Sequence, residues 1–263
     1  MKVTLLGTAA ARSDVNRFPS SNLIQVVGRN FLVDCGAGSL HQLMKAGLDA
    51  TQLDGIFLTH RHIDHCAEFP AIMFSYFLMG GEKEKFPLYG GPDLVKFELG
   101  LFNGAYDFAS DMMMGLRDRK ILVDVITSTG GVIYDQDGLI VRCQKVEHDP
   151  LVDSLAFRFE QDGKSVVFSG DVVYCENLVK ISHKCDVLIS DFSFPEDGKC
   201  YKGGHIKPSE VGRVAKEAGV KRIVASHLST PWNDQLNKLE EMVRSGGFTG
   251  EIVIGSDLMS FAV

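Results

Sequence analysis

Thr59-His60-Arg61-His62-Ile63-Asp64-His65 is the stretch on which the reading of this chain turns. It places three imidazoles and a carboxylate within residues 60–65. On a helix these groups splay around the axis; on a strand His60, His62 and Asp64 line one face while His65 points to the other. A loop at a strand end gathers all four, and the apolar run Gly55–Leu58 just ahead supplies the strand. Imidazole with carboxylate is a donor set suited to zinc, with iron and manganese as competitors.

Three further strand ends carry residues of the same kind. His148 follows the β-run Leu139–Val146, Asp171 follows Ser165–Ser169 through Gly170, and His227 follows Arg222–Ser226. Taken singly, a histidine after a strand is an ordinary surface or hydrogen-bonded residue, and Gly-Asp is an ordinary turn. Taken together they complete a site for two clustered ions, which need more donors than one run supplies. His205, in Gly203-Gly204-His205-Ile206 ahead of a helix, reads as a helix-entry residue or as a general acid facing the metals. His41 and His183 read as surface residues.

Around these positions the chain reads as one α/β domain over residues 1–263, with no linker or low-complexity tract. Strands are predicted at Val3–Leu6, Asn22–Val27, Asn30–Asp34, Gly55–Leu58, Ile121–Thr127, Leu139–Val146, Ser154–Glu160, Ser165–Ser169, Val187–Asp191, Arg222–Ser226 and Glu251–Ile254. Helices are predicted from Ser39 to the stop at Gly47, over Ala67–Met79 with Pro70 in the first turn, over Pro208–Ala218, and over Asn233–Arg244. The apolar residues between Phe97 and Met114 suit core or a dimer face, with a substrate-pocket wall as the second reading; a homodimer is expected. A net charge of −7 weighs against a general nucleic-acid binder. The opening Met1–Gly7 is too short for a signal peptide, and no apolar run reaches the ~18 residues of a membrane span. Six scattered cysteines read as reduced, mostly buried thiols, so a cytoplasmic protein is expected, with Cys66 singled out because it follows the histidine run.

The order of these motifs resembles the metallo-β-lactamase-fold hydrolases, and within them the ribonuclease Z, phosphodiesterase and arylsulfatase-like branch. The likeness also rests on Leu6-Gly7-Thr8-Ala9-Ala10, Arg17 to Asn22, Leu32–Gly38, Gly203–Glu210 and Gly255–Met259, and so covers the whole chain. It implies a four-layer αβ/βα sandwich with the site at one edge between two sheets. It implies that His60, His62 and His148 hold one zinc, that Asp64, His65 and His227 hold a second, and that Asp171 bridges both. Mn2+ or Fe are the alternative ions. It gives His205 a catalytic role as proton donor to the leaving group, and the chemistry of a metal-bound carboxylate gives Asp64 one as orienter or base for the nucleophile. Asp34 matches a carboxylate that orients a ligand histidine.

Two departures narrow the activity. Ribonuclease Z carries a long transfer-RNA-gripping arm between the positions matching His148 and Asp171, and here only 22 residues separate them. Where that branch often has His-Glu-Ala-Thr, this chain has Ser190-Asp191-Phe192-Ser193. The expectation is a dinuclear zinc hydrolase that cleaves a small ester, first a phosphodiester, by metal-activated hydroxide. Ribonuclease Z-type RNA 3′ processing and arylsulfatase or lactonase action are the alternatives. A metal- or ligand-binding protein without turnover is the non-enzymatic one, favoured if His205 points away from the metals.

Overall fold

The computed structural model describes residues 1–11, 14–107, 123–197, 204–229, 232 and 235–263. Its first sheet sets β1 (Lys2–Gly7), β2 (Ser21–Val26), β3 (Arg29–Cys35), β4 (Gly55–Phe57), β5 (Phe86–Gly90) and β6 (Val123–Thr127) side by side in chain order. The second does the same with β7 (Gly130–Gln136), β8 (Leu139–Lys145), β9 (Leu155–Gln161), β10 (Lys164–Phe168), β11 (Val187–Asp191), β12 (Arg222–Ser226) and β13 (Glu251–Ile254). The last strand, β14 (Ser260–Ala262), returns to pair antiparallel with β1. Helices α1 (Ser39–Lys45), α2 (Ile63–Cys66), α3 (Phe69–Leu78) and α4 (Leu94–Gly100) lie in the first half; α5 (Glu176–Ile181), α6 (Pro208–Ala218) and α7 (Leu239–Ser245) lie in the second.

The side-chain period of two explains why this becomes four layers. In β3, Phe31 and Val33 enter the core between the sheets while Leu32 enters the core under the first-half helices. Phe57 points between the sheets, and Ile56 and Leu58 point to those helices. In the second sheet Val166, Ile189 and Val224 face inward, and Val167, Leu188 and Ile223 pack against the second-half helices. Such strands are apolar on both faces because both faces are covered. Phe57 anchors the inner layer, stacked on Tyr89 (centroids 4.3 Å apart) and edge-on to Phe159 at 5.0 Å. The arrangement is the metallo-β-lactamase sandwich that the motifs imply.

Strand direction gathers the site. β10, β11, β12 and β13 are mutually parallel, and β9 is antiparallel to both β8 and β10, so β8, β10, β11 and β12 end at one edge. In the first sheet β3, β4, β5 and β6 are parallel. Helix α6 matches its sequence signals: Pro208 opens it, Val211, Val214, Ala215 and Ala218 are buried, and Gly219 closes it with φ 70°.

Some elements depart from expectation. β5, β7, β14, α2, α4 and α5 are additional, and the last helix is shorter than Asn233–Arg244, with one 3-10 turn (Leu236–Lys238) ahead of α7. Phe97, Leu101 and Phe102 join the first-half core, as the core reading of that segment requires, but Tyr106 is exposed. Phe108 and Met112–Met114 lie outside the described residues, as do Ile121, Leu122, Cys200, Gly203 and Asn233.

Candidate metal centre

The first sheet delivers its four donors in two ways. Leu58 stays in the sheet, its amide donating to Tyr89 O at 2.8 Å, and the chain then bends at Thr59 and reaches His62 in an extended conformation. His62 is the N-cap of α2, whose single turn carries Asp64 and His65. A loop alone therefore does not gather the run, as the sequence reading had it: one helical turn swings Asp64 and His65 back beside His60. Gly36 permits that turn to sit close, since a Cβ there would lie 2.2 Å from Asp64 O. The second sheet supplies His148 beyond β8, Asp171 beyond β10 and His227 beyond β12. Gly170, which aims Asp171, has φ +59° and faces Thr59, whose Cβ would be 2.8 Å from any added methyl. His227 and Asp34 adopt left-handed backbone (φ 56° and 62°), a conformation rare without glycine and held only by strong surroundings. Leu228 fixes the first of these, donating from N to Thr8 O at 2.8 Å and accepting from Ala10 N at 3.1 Å.

The predicted ligands converge on two pockets that share Asp171. In the first, His60 Nε2 and His148 Nε2 lie 3.9 and 3.8 Å from Asp171 Oδ2, and His62 Nδ1 lies 3.3 Å from His148 Nε2. In the second, His65 Nε2 and His227 Nε2 are 3.1 Å apart and stand 3.1 and 3.2 Å from Asp171 Oδ1. Asp64 Oδ2 completes it, 3.2 Å from His227 Nε2 and 3.6 Å from His65 Nε2. Bonds of ~2.0–2.1 Å in a tetrahedron put neighbouring donors about 3.3 Å apart, and these pairs lie 3.1 to 3.9 Å apart. His60 Nε2 and Asp171 Oδ1 are buried with no hydrogen-bond partner, which is costly unless a cation satisfies them. The residues fit a dinuclear centre, with one oxygen of Asp171 turned to each pocket.

Every imidazole is tethered through its other nitrogen, which fixes the ring and leaves one lone pair for a cation. His65 Nδ1 bonds Asp34 Oδ2 (2.8 Å), and Asp34 also accepts from Thr59 N (2.8 Å). Asp34 thus sits where the resemblance puts its orienting carboxylate. His60 Nδ1 meets Thr59 Oγ1 (3.1 Å), His148 Nδ1 meets Gly204 O (2.5 Å), His62 Nε2 meets Asp149 Oδ2 (3.2 Å), and His227 Nδ1 meets Ser193 Oγ (2.7 Å).

Electrostatics separate the pockets. Burial lowers the pKa of His60 and His148, so both are neutral and ready to donate. Burial acts the same way on His65 and His227, but carboxylates outweigh it. Asp171 and Asp34 push His65 well above its usual value, and Asp171, Asp191 and Asp64 push His227 to about 10. Burial would raise Asp171, yet His227 and His65 hold it well below the carboxylate range. Without metal, protons on the second pocket's histidines balance its carboxylates.

His205 faces the centre. Its Nδ1 bonds Asp191 Oδ2 at 2.7 Å and meets Ser193 Oγ at 3.0 Å, and its ring centroid lies 5.3 Å from that of His148. Burial lowers its pKa, but Asp191 outweighs burial and raises it. Asp171, Asp191, His205 and His227 form a third close donor set, but its members already bond one another, so they read as a proton network and not as a third ion site. Asp191 and Ser193, like Thr59 and Asp149, hold histidines of this centre and had no role in the sequence reading. Asp191 ends β11 at the same edge as the ligands, the signal that found the others. Cys66 is an ordinary buried thiol: burial pushes its pKa to about 12, and its Sγ donates to Arg61 O at 3.4 Å.

The chain's likenesses agree with this geometry. The family model for the anti-Pycsar protein Apyc1 matches residues 1–242. Ribonuclease Z of Mycobacterium bovis is 28% identical over 271 residues, covering 98% of this chain and 96% of that one. Ribonuclease Z of Methanosarcina mazei is 26% identical, covering 100% and 98%. Among solved structures, the metallo-β-lactamase fold protein YhfI from Bacillus subtilis superposes with a TM-score of 0.82 at 25% identity, covering 99% of this chain and 98% of that one. The short form of human tRNase Z shares the fold, with a TM-score of 0.73 at 23% identity over 100% and 99%. With its histidine–aspartate metal site, its two-sheet sandwich and that match, the chain belongs to the anti-Pycsar Apyc1 family, among the metal-dependent hydrolases of the metallo-β-lactamase fold.

Proposed function

We propose that the chain hydrolyses a small phosphodiester, with cyclic nucleotides the first substrates to try, and that two zinc ions serve it. The observation that carries this reading is Asp171, with one carboxylate oxygen turned to each pocket and His205 beside both. Its family supports a cyclic nucleotide over other esters. The 22 residues between His148 and Asp171 support a small substrate. They hold β9 and β10, closed by the turn Gln161-Asp162-Gly163-Lys164, and leave no length for an RNA-gripping arm. A net charge of −7 points the same way, because each phosphate contact on RNA calls for lysine or arginine.

Two bound cations supply Lewis acidity to the phosphoryl oxygens and make hydroxide available from water near neutral pH. His60, His62 and His148 would hold one, Asp64, His65 and His227 the other, and Asp171 both. Asp64 presents a carboxylate at the floor of the second pocket, where it orients the attacking water and accepts its proton. His205 is anchored through Nδ1 to Asp191, which leaves Nε2–H free to give a proton to the departing oxygen. Ser193 joins His205 and His227, so proton donor and ligand keep a fixed spacing.

The second reading is RNA 3′ processing, which the ribonuclease Z relatives over 98% of this chain favour. Turnover of the zinc-loaded protein on a 3′,5′-cyclic nucleotide, bis(p-nitrophenyl) phosphate, an aryl sulfate, a lactone and precursor transfer RNA separates the readings. Cleavage of the first two with intact RNA is expected. Trimming of RNA with no small phosphodiester cleaved overturns the proposal.

A further inference from the structure

Two aliphatic side chains on segments adjoining His62 stand in water: Ile63 is 76% exposed and Leu151 79%. Neither position is accidental. Ile63 opens α2 between the donors His62 and Asp64. Leu151 is held there by three bonds: its N donates to Asp149 Oδ1 (2.8 Å), Asp149 Oδ2 meets His62 Nε2 (3.2 Å), and Arg61 Nη2 donates to Leu151 O (2.9 Å). Arg61 in turn is clamped by Asp93 Oδ2 at 2.6 Å, and Asp93 accepts from Asp153 N at 3.2 Å. Both aliphatics therefore flank His62, whose side chain is 34% exposed, on backbone tied from several sides. A bare isoleucine on α2 and a bare leucine on a tied loop, both next to His62, leave apolar surface that an apolar group would cover favourably.

We propose that Ile63 and Leu151 form a rim that grips the non-reacting organic group of the phosphodiester, its nucleoside face, while the phosphoryl group goes to the metals. The inference rests on the phosphodiesterase reading above. The arginine at this rim is already bound to Asp93 and to a carbonyl, so the rim favours a flat uncharged base over a second phosphate. Selectivity among phosphodiesters is then set by the organic group, through two residues that touch no metal.

The test uses the zinc-loaded full chain with two esters that share a leaving group, thymidine 5′-p-nitrophenyl phosphate and methyl p-nitrophenyl phosphate. The ratio of their kcat/KM values should fall about tenfold in Ile63→Ser and in Leu151→Ser, mostly through KM, as loss of apolar burial predicts. Calorimetry gives a readout independent of turnover: thymidine 5′-monophosphate should bind each variant about tenfold more weakly relative to inorganic phosphate. Metal content at the wild-type value in both variants shows that the ligands are intact. A ratio and a relative affinity that stay at wild-type values in both variants overturn the rim. If wild type cleaves neither ester, the phosphodiesterase reading falls, and the calorimetric comparison still decides the rim.

Discussion

The two pockets share a carboxylate and differ in nearly everything behind it. The second is buried, has Asp64 and Asp171 as donors, and is backed by Asp34 on His65 and Asp191 near His227 (3.4 Å). The first is built from three imidazoles and Asp171, is backed by a hydroxyl and a carbonyl, and opens to solvent at His62, whose ring meets the half-buried Asp149. Charge behind the ligands strengthens cation binding, and openness admits substrate. On the proposed function, the second pocket would therefore be the firmer anchor, and the first the side that receives the substrate's organic group.

The shared residue gives the largest expected effect. Asp171→Ala should empty both pockets and reduce turnover by more than the ~10–100-fold typical of a residue behind a ligand, read as metal per chain by mass spectrometry beside kcat. Loss of one ion alone would mean that Asp171 belongs to one pocket and the sharing is wrong. His205→Ala should follow, lowering kcat by about 10²–10⁴ with two metals still bound; loss of an ion instead would make His205 a ligand.

The contrast itself is probed by a pair of variants that touch no metal. Asp34→Asn should weaken the second ion by about 10–100-fold in a competitive chelator titration, while Asp149→Asn moves the first by about threefold or less, because solvent reaches both Asp149 and the His62 ring it meets. Equal effects would erase the distinction between the pockets. In wild type the same titration should remove the first-pocket ion before the second.

The smallest effect sets these carboxylates against one at the far end of the second sheet. Asp186 accepts from Ser165 N and Lys221 Nζ, both at 2.8 Å. Burial would raise its pKa, but Lys221 and the Ser165 amide outweigh burial and lower it. A lowered folded value means its contribution is full above the unfolded value of about 4 and is lost as pH falls through the folded one. Asp186→Asn should lower the melting temperature by about 2–4 °C at pH 7, with the gap narrowing below about pH 4 and no change in metal content.

Most of the site could be read in the sequence because its donors obey one rule, a polar residue just past an apolar strand. That rule located His60, His148, Asp171 and His227, and the same rule applied to Val187–Asp191 reaches Asp191. Ser193 escaped it, because a serine two residues past a strand carries no signal until His205 and His227 are seen on either side. In the fold, β5 was hidden by Pro87 and Gly90, residues that ordinarily interrupt a strand but are tolerated here. β7 begins with Gly130-Gly131, is exposed along most of its length and borders the second sheet, so it lacks the apolar alternation by which strands are recognised. The turn of α2 is only Ile63–Cys66, too short to show a helical period.

The parentage of the ligands has a mechanical consequence. His60, His62, Asp64 and His65 descend from the first sheet, while His148, Asp171 and His227 descend from the second. Each ion would therefore be a clasp across the seam between the two sheets. At a free-ion concentration a hundred times the dissociation constant, one such clasp stabilises the closed sandwich by about 2.7 kcal/mol. Stripped of metal, the protein should begin to come apart at this edge, with the phenylalanine-rich layer between the sheets holding longest.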